Sequence, residues 1–104
     1  MDPQREEQMH KPDVKVLVKA LMEATTQEQV QALLVDLCTS REISDMAQRL
    51  QVAQMLDEGC PYAEVQRVTG ASSTTVSRVS KFLNGDVGGY RWVLDRLDAA
   101  PTEQ

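Results

Sequence analysis

Residues 62–83 read YAEVQRVTGASSTTVSRVSKFL. A short amphipathic segment, Tyr62 to Val68, meets Thr69-Gly70, and six hydroxyl residues then crowd the stretch from Ser72 to Ser80. Ser and Thr are mediocre helix formers, because their side chains compete for the backbone. Here they alternate with Val76 and Val79, whose spacing of three puts both on one helical face. Val65 and Ala71 supply small apolar groups on either side of the turn, and Gly70 stands where the chain needs a positive φ. Two short helices joined by a tight glycine turn are a helix-turn-helix. Its second helix would enter a major groove about 12 Å wide with its N-terminal end. Ser73, Thr74 and Ser77 would face bases, while Ser72, Arg78 and Lys81 would hold phosphates. The same pattern also describes a helical hairpin with a hydroxyl-rich solvent face, so a protein-interaction module that no longer binds DNA stays open as the alternative.

Outward from this motif the chain reads as all-α, with about six helices. Val14, Leu17, Val18, Leu21 and Met22 recur at three- and four-residue spacing from Pro12 onward. Thr25 with Glu28 reads as a capping box for a helix carrying Val30, Leu33, Leu34 and Leu37, and Thr39 with Glu42 as a second box. The second box opens a long helix through Ile43, Met46, Leu50, Ala53 and Leu56, which Gly59 stops. Pro61 suits the first turn of the next helix, and Ser72 the N-cap of the one after. Asn84 to Gly89 is a flexible connection. Tyr90 to Leu97 closes the set with Tyr90, Val93, Leu94 and Leu97 on one side, and Trp92 is expected to pack at this helix. Residues 1–11 read as a flexible polar arm, 12–99 as one helical domain containing the helix-turn-helix at 62–83, and 100–104 as a tail. Helices over 14–22, 30–37 and 43–56 present more apolar surface than one small bundle needs, which points to a subunit interface.

The 104 residues suffice for one small domain. The net charge of −5 argues against nucleic acid at first sight, but its distribution matters more than its sum. Residues 1–60 carry six basic against eleven acidic groups. Residues 61–93 carry four basic against two acidic, and no acid lies between Gly70 and Gly85. A locally basic segment on an acidic body orients a docking face. No apolar run reaches the ~18 residues of a membrane span, and MDPQREEQMHKPD lacks the apolar segment of a secretory signal, so the expected location is the cytoplasm. Cys38 and Cys60 form no CxxC spacing and fit reduced, buried thiols. No enzyme is expected. His10, the sole histidine, lies in the arm, and no catalytic set, metal-ligand spacing or phosphate loop is present.

From Asp36 to Leu97 the chain resembles the Trp repressor family, and within it the small bacterial Trp-repressor-like proteins of the YerC/YecD type. The resemblance is carried by DLCTSREISDMAQRLQVAQMLDEG, TGASSTTVSRVSKFLN and GYRWVLDRL. It implies an intertwined homodimer whose N-terminal helices weave between subunits. It also implies sequence-specific binding to double-stranded DNA in transcription regulation, as a repressor. The family holds an amino-acid co-repressor between two arginines with threonines nearby. Residue by residue, those positions are Arg49, Arg78, Thr39 and Thr75. Where the family pattern has a glycine and a serine beside the second arginine, this chain has Val79 and Phe82. Both add bulk, and Phe82 removes a polar partner. Tryptophan therefore fits poorly, an amino-acid-like effector stays open, and binding without any cofactor is the expected case.

Overall fold

The protein is described by a computed structural model over residues 1–99. The tail expected at 100–104 lies outside the described residues. These residues form seven helices and no strand: α1 (Pro3–Met9), α2 (Pro12–Glu23), α3 (Gln27–Leu37), α4 (Ser40–Asp57), α5 (Tyr62–Thr69), α6 (Ser73–Leu83) and α7 (Gly89–Ala99). The chain divides into two compact units, residues 1–43 and the part from Ser44 onward, with the boundary inside α4.

In the N-terminal unit the seventh helix is the unexpected one. The stretch expected as a loose polar arm contains α1, which has no apolar periodicity and is held by its ends. The Asp2 carboxylate accepts from the Arg5 amide at 2.8 Å, and Pro3 occupies the first helical position. The cap of α3 is shifted by one residue from Thr25. Thr26 Oγ1 accepts from the Gln29 amide at 3.2 Å, and Gln29 Oε1 reaches back to the amides of Thr25 at 2.9 Å and Thr26 at 3.3 Å. Glu28 therefore takes no part in the box. The box at the head of α4 is the expected one: Thr39 Oγ1 accepts from the Glu42 amide at 3.1 Å, and Glu42 Oε1 from the Thr39 amide at 2.8 Å. The bond from the Thr39 amide, and then that from its hydroxyl, hold the Glu42 carboxyl below its usual pKa. A depressed carboxylate stabilises the fold above its unfolded pKa, and that contribution is lost as pH falls through the folded one.

No residue of 1–43 is buried. Val16, Leu17, Val18, Leu21 and Met22 on α2, and Val30, Val35 and Leu37 on α3, are all exposed, Met22 by 73% and Val35 by 67%. The apolar surplus expected from the sequence is thus left uncovered within the single chain.

The second unit has a core. Val52 and Ala53 of α4, Val65 of α5, Ala71 of the turn, Val76, Val79 and Leu83 of α6, and Leu94 of α7 are buried together. These are small and medium aliphatic groups, so the helices can approach closely. Tyr90 and Val93 pack against this cluster, as expected, whereas Leu97 and Val68 are exposed. The end of α4 is a Schellman turn: the Cys60 amide donates to Met55 O at 3.0 Å and the Gly59 amide to Leu56 O at 3.0 Å, with Gly59 at φ 86°. An ion pair between Arg91 and Asp57 ties α7 to that end. Cys38 and Cys60 are free thiols, half-buried rather than buried.

Gly70 adopts φ 74° and has open space where a Cβ would stand. Its role is therefore conformational and not steric. Gly70→Ala should lower the unfolding free energy by about 1–2 kcal/mol, and Gly70→Asn by less, because Asn tolerates this region better. Urea denaturation measures both, and an unaffected Gly70→Ala midpoint would refute the assignment.

Candidate nucleic-acid interface

The candidate interface residues lie on and beside α6. Ser72 stands just before it in extended conformation, and its hydroxyl accepts from the Thr75 amide at 3.1 Å. The same hydroxyl lies 3.1 Å from Thr75 Oγ1 as a donor. The side chain of Ser72 is thus engaged in capping, which leaves the first-turn amides of Ser73 and Thr74 without a helical acceptor. At the other end Asn84 Nδ2 donates to Ser80 O at 2.9 Å and ends the helix.

Burial then divides α6 by face. Val76, Val79 and Leu83 point into the core, while Ser73, Thr74, Ser77, Arg78 and Lys81 are exposed. At 3.6 residues per turn, Thr74, Arg78 and Lys81 lie opposite the core and Ser73 and Ser77 lie beside them. Five of the six side chains singled out for DNA contact therefore form one polar strip, and Ser72 stands at its N-terminal end. No acid interrupts it. Of the four cations in residues 61–93, Arg67 pairs with Glu64 at 3.2 Å and Arg91 with Asp57. Among the described residues Arg78 and Lys81 have no ion-pair partner, so their charge is available on the strip.

The candidate effector residues are distributed differently. Thr39 belongs to the N-terminal unit and is engaged in capping α4. Arg49 is exposed on α4, and Thr75 is half-buried on α6 with its hydroxyl facing Ser72. Thr75, Arg78 and Phe82 are spaced i, i+3, i+7 and so share one face of α6. The bulk of a half-buried Phe82 thus stands on the face that would present Thr75 and Arg78 to a ligand, and Val79 beside them is committed to the core. Among the described residues no group of three or more His, Cys, Asp or Glu side chains could hold a metal ion. No helix is long and apolar enough to cross a membrane among them.

Two features escaped the sequence reading. Trp92, expected to pack at α7, is 59% exposed, with the Arg96 guanidinium 4.4 Å from its ring centroid. Arg96 is one turn further along the same helix, and its stacking covers part of the indole that the core does not. The second feature is a hydrogen bond from Gln48 Nε2 of α4 to Thr69 O at 3.1 Å. A glutamine bonded to a main-chain carbonyl 21 residues away leaves no trace in spacing or composition.

Residues 12–98 match the Trp repressor protein family. The uncharacterized protein YerC of Bacillus subtilis is 48% identical over 68 residues, a match that spans 65% of this chain and 65% of that relative, just under two thirds of its length. A TrpR-like protein from Eubacterium eligens superimposes with a TM-score of 0.83 at 32% identity, over 92% of this chain and 99% of the other. A Staphylococcus aureus structure described as a candidate Trp repressor gives a TM-score of 0.82 at 33% identity, over 92% and 96%. The chain belongs to the Trp repressor family.

The cap at Ser72 can be tested apart from any ligand. Ser72→Ala should reduce stability by about 1 kcal/mol in a urea melt. Ser72→Asp, which still offers an oxygen to the Thr75 amide, should leave it nearly unchanged. Equal losses in both variants would show that the cap is not what Ser72 contributes.

Proposed function

We propose that this member of the Trp repressor family is a homodimeric, sequence-specific DNA-binding regulator of transcription, acting as a repressor in the cytoplasm. The observation that carries the reading is the strip on α6: small exposed hydroxyls at Ser73, Thr74 and Ser77 beside Arg78 and Lys81, which have no ion-pair partner among the described residues. Short side chains let the helix backbone approach base edges, where hydroxyls donate or accept and a threonine methyl can meet a thymine methyl. Arg78 and Lys81 neutralise phosphates and fix register, and the first-turn amides add a further phosphate contact. The acidic remainder of the chain disfavours contact elsewhere, which leaves α6 as the docking face.

The uncovered apolar faces of α2 and α3 support the second half of the reading. Full burial of a Val, Leu or Met side chain is worth about 1.5–3 kcal/mol, and eight such groups stand exposed here. A second copy of the chain covers them in an intertwined dimer, and the resulting two-fold axis places two α6 helices about 34 Å apart on the duplex. No effector is required in this reading, because Phe82 and Val79 take up space beside Thr75 and Arg78.

Selection of random duplexes by the purified protein tests the function directly. An enriched sequence with two related half-sites is the expected result. An absence of enrichment at low salt would leave a helical interaction module as the reading. On the enriched site, Lys81→Ala should weaken binding to all duplexes and reduce the salt slope by about 1 per protomer, whereas Ser77→Ala should alter which bases are preferred. An unchanged salt slope for Lys81→Ala would remove that residue from the phosphate contacts. In sedimentation equilibrium the wild type should run at twice the chain mass, and Leu21→Glu should shift it toward the monomer. A monomeric wild type at micromolar concentration would contradict the dimer.

A further inference from the structure

The core that joins α4 to the helix-turn-helix consists of Val52, Ala53, Val65, Ala71, Val76 and Val79. Contacts among such groups are non-directional. They hold the helices together but set their relative tilt weakly. Tilt matters here, because α6 must present Ser73, Thr74 and Ser77 to base edges at hydrogen-bonding distance. A directional bond is available at one point. Gln48 of α4 donates through Nε2 to Thr69 O at 3.1 Å, with both residues half-buried. Thr69 is the last residue of α5, where carbonyls have no helical donor. Its hydroxyl donates to Val65 O at 2.7 Å and accepts from the Ala71 amide at 3.1 Å. Thr69 is therefore bonded back into α5, forward into the turn and sideways to α4. Only Gly70, Ala71 and Ser72 separate it from the first residue of α6.

We propose that Gln48 is a positioning residue for DNA recognition: acting through Thr69, it locks the helix-turn-helix onto α4 and sets the angle at which α6 meets the groove. The proposal rests on the DNA-binding reading above. The strut is neutral at both ends, so its strength is independent of salt and of pH over the physiological range. It is also internal to the chain, so the recognition helix is oriented without a bound small molecule.

The test compares affinities for the enriched duplex and for a scrambled duplex of the same length. Gln48→Met keeps the side-chain length and removes the donor. Thr69→Val removes the hydroxyl bonds and keeps the carbonyl, and so loosens the same joint from the other side. For Gln48→Met affinity for the enriched duplex should fall about three- to tenfold, the range for one lost hydrogen bond, and for Thr69→Val, which loses two bonds, by at least as much. Affinity for the scrambled duplex should change less than about twofold, because phosphate contacts tolerate tilt. The ratio of the two is the readout that a merely structural role would not move. Partial unfolding lowers both affinities together and leaves the ratio intact. An unchanged ratio in both variants, with the wild type selecting a sequence, overturns the role of Gln48 alone. A wild type that selects no sequence overturns the DNA-binding reading, and the positioning role with it.

Discussion

Three valines with no exposed surface, Val52, Val65 and Val76, one from each of α4, α5 and α6, fix the second unit. Their burial against Ala53 and Ala71 requires the two short helices to turn sharply onto α4, and the turn requires the positive φ of Gly70. Once that packing is set, the rest of α6 follows from its 3.6-residue period. Val79 and Leu83 must face inward, and Thr74, Arg78 and Lys81 must face outward. The polar strip is thus a consequence of where the valines lie. Polar bonds refine this joint: Ser72 caps α6, Gln48 reaches Thr69, and Arg91 pairs with Asp57.

The N-terminal unit follows a different logic. Three of its helix N-termini are capped by side chains, by Asp2, by Thr26 with Gln29 and by Thr39 with Glu42, while α2 starts at Pro12 without one. Capping stabilises a helix end, but it buries no apolar area. With no residue of 1–43 fully buried and only a few, such as Val14, Leu33, Leu34 and Ile43, half-buried, local bonds define these helices while much of the hydrophobic term stays unused within one chain. In the dimer proposed above, folding of this half and association become the same event, so its stability depends on protein concentration.

Much of this was legible in the sequence, and the misses have local physical causes. The helix-turn-helix, the Ser72 cap, the Thr39–Glu42 box and the inward faces of Val76 and Val79 each follow from spacing and backbone chemistry, and all are present. At Thr25-Thr26 two adjacent residues could cap, and two acceptors, Glu28 and Gln29, follow at matching distances. The pattern admitted both registers, and Gln29 reaching back to both threonine amides settles the choice. The helix α1 carries no apolar period to read, since Asp2 and Pro3 define it. Trp92 lies on α7 as expected, but the core face of that helix passes through Tyr90, Val93 and Leu94, which leaves position 92 exposed, where Arg96 meets it. Gln48 could not be found from sequence, because its partner is a main-chain carbonyl.

The central claim is that two copies of α6 read the major groove from one dimer. Guanine methylation interference on an enriched duplex tests it most directly, because the modified atom, N7, lies in the major groove. The account predicts two patches of interference related by two-fold symmetry, with centres about one helical turn, ~34 Å, apart. A single patch, or methylation that leaves binding unaffected throughout the site, would contradict it.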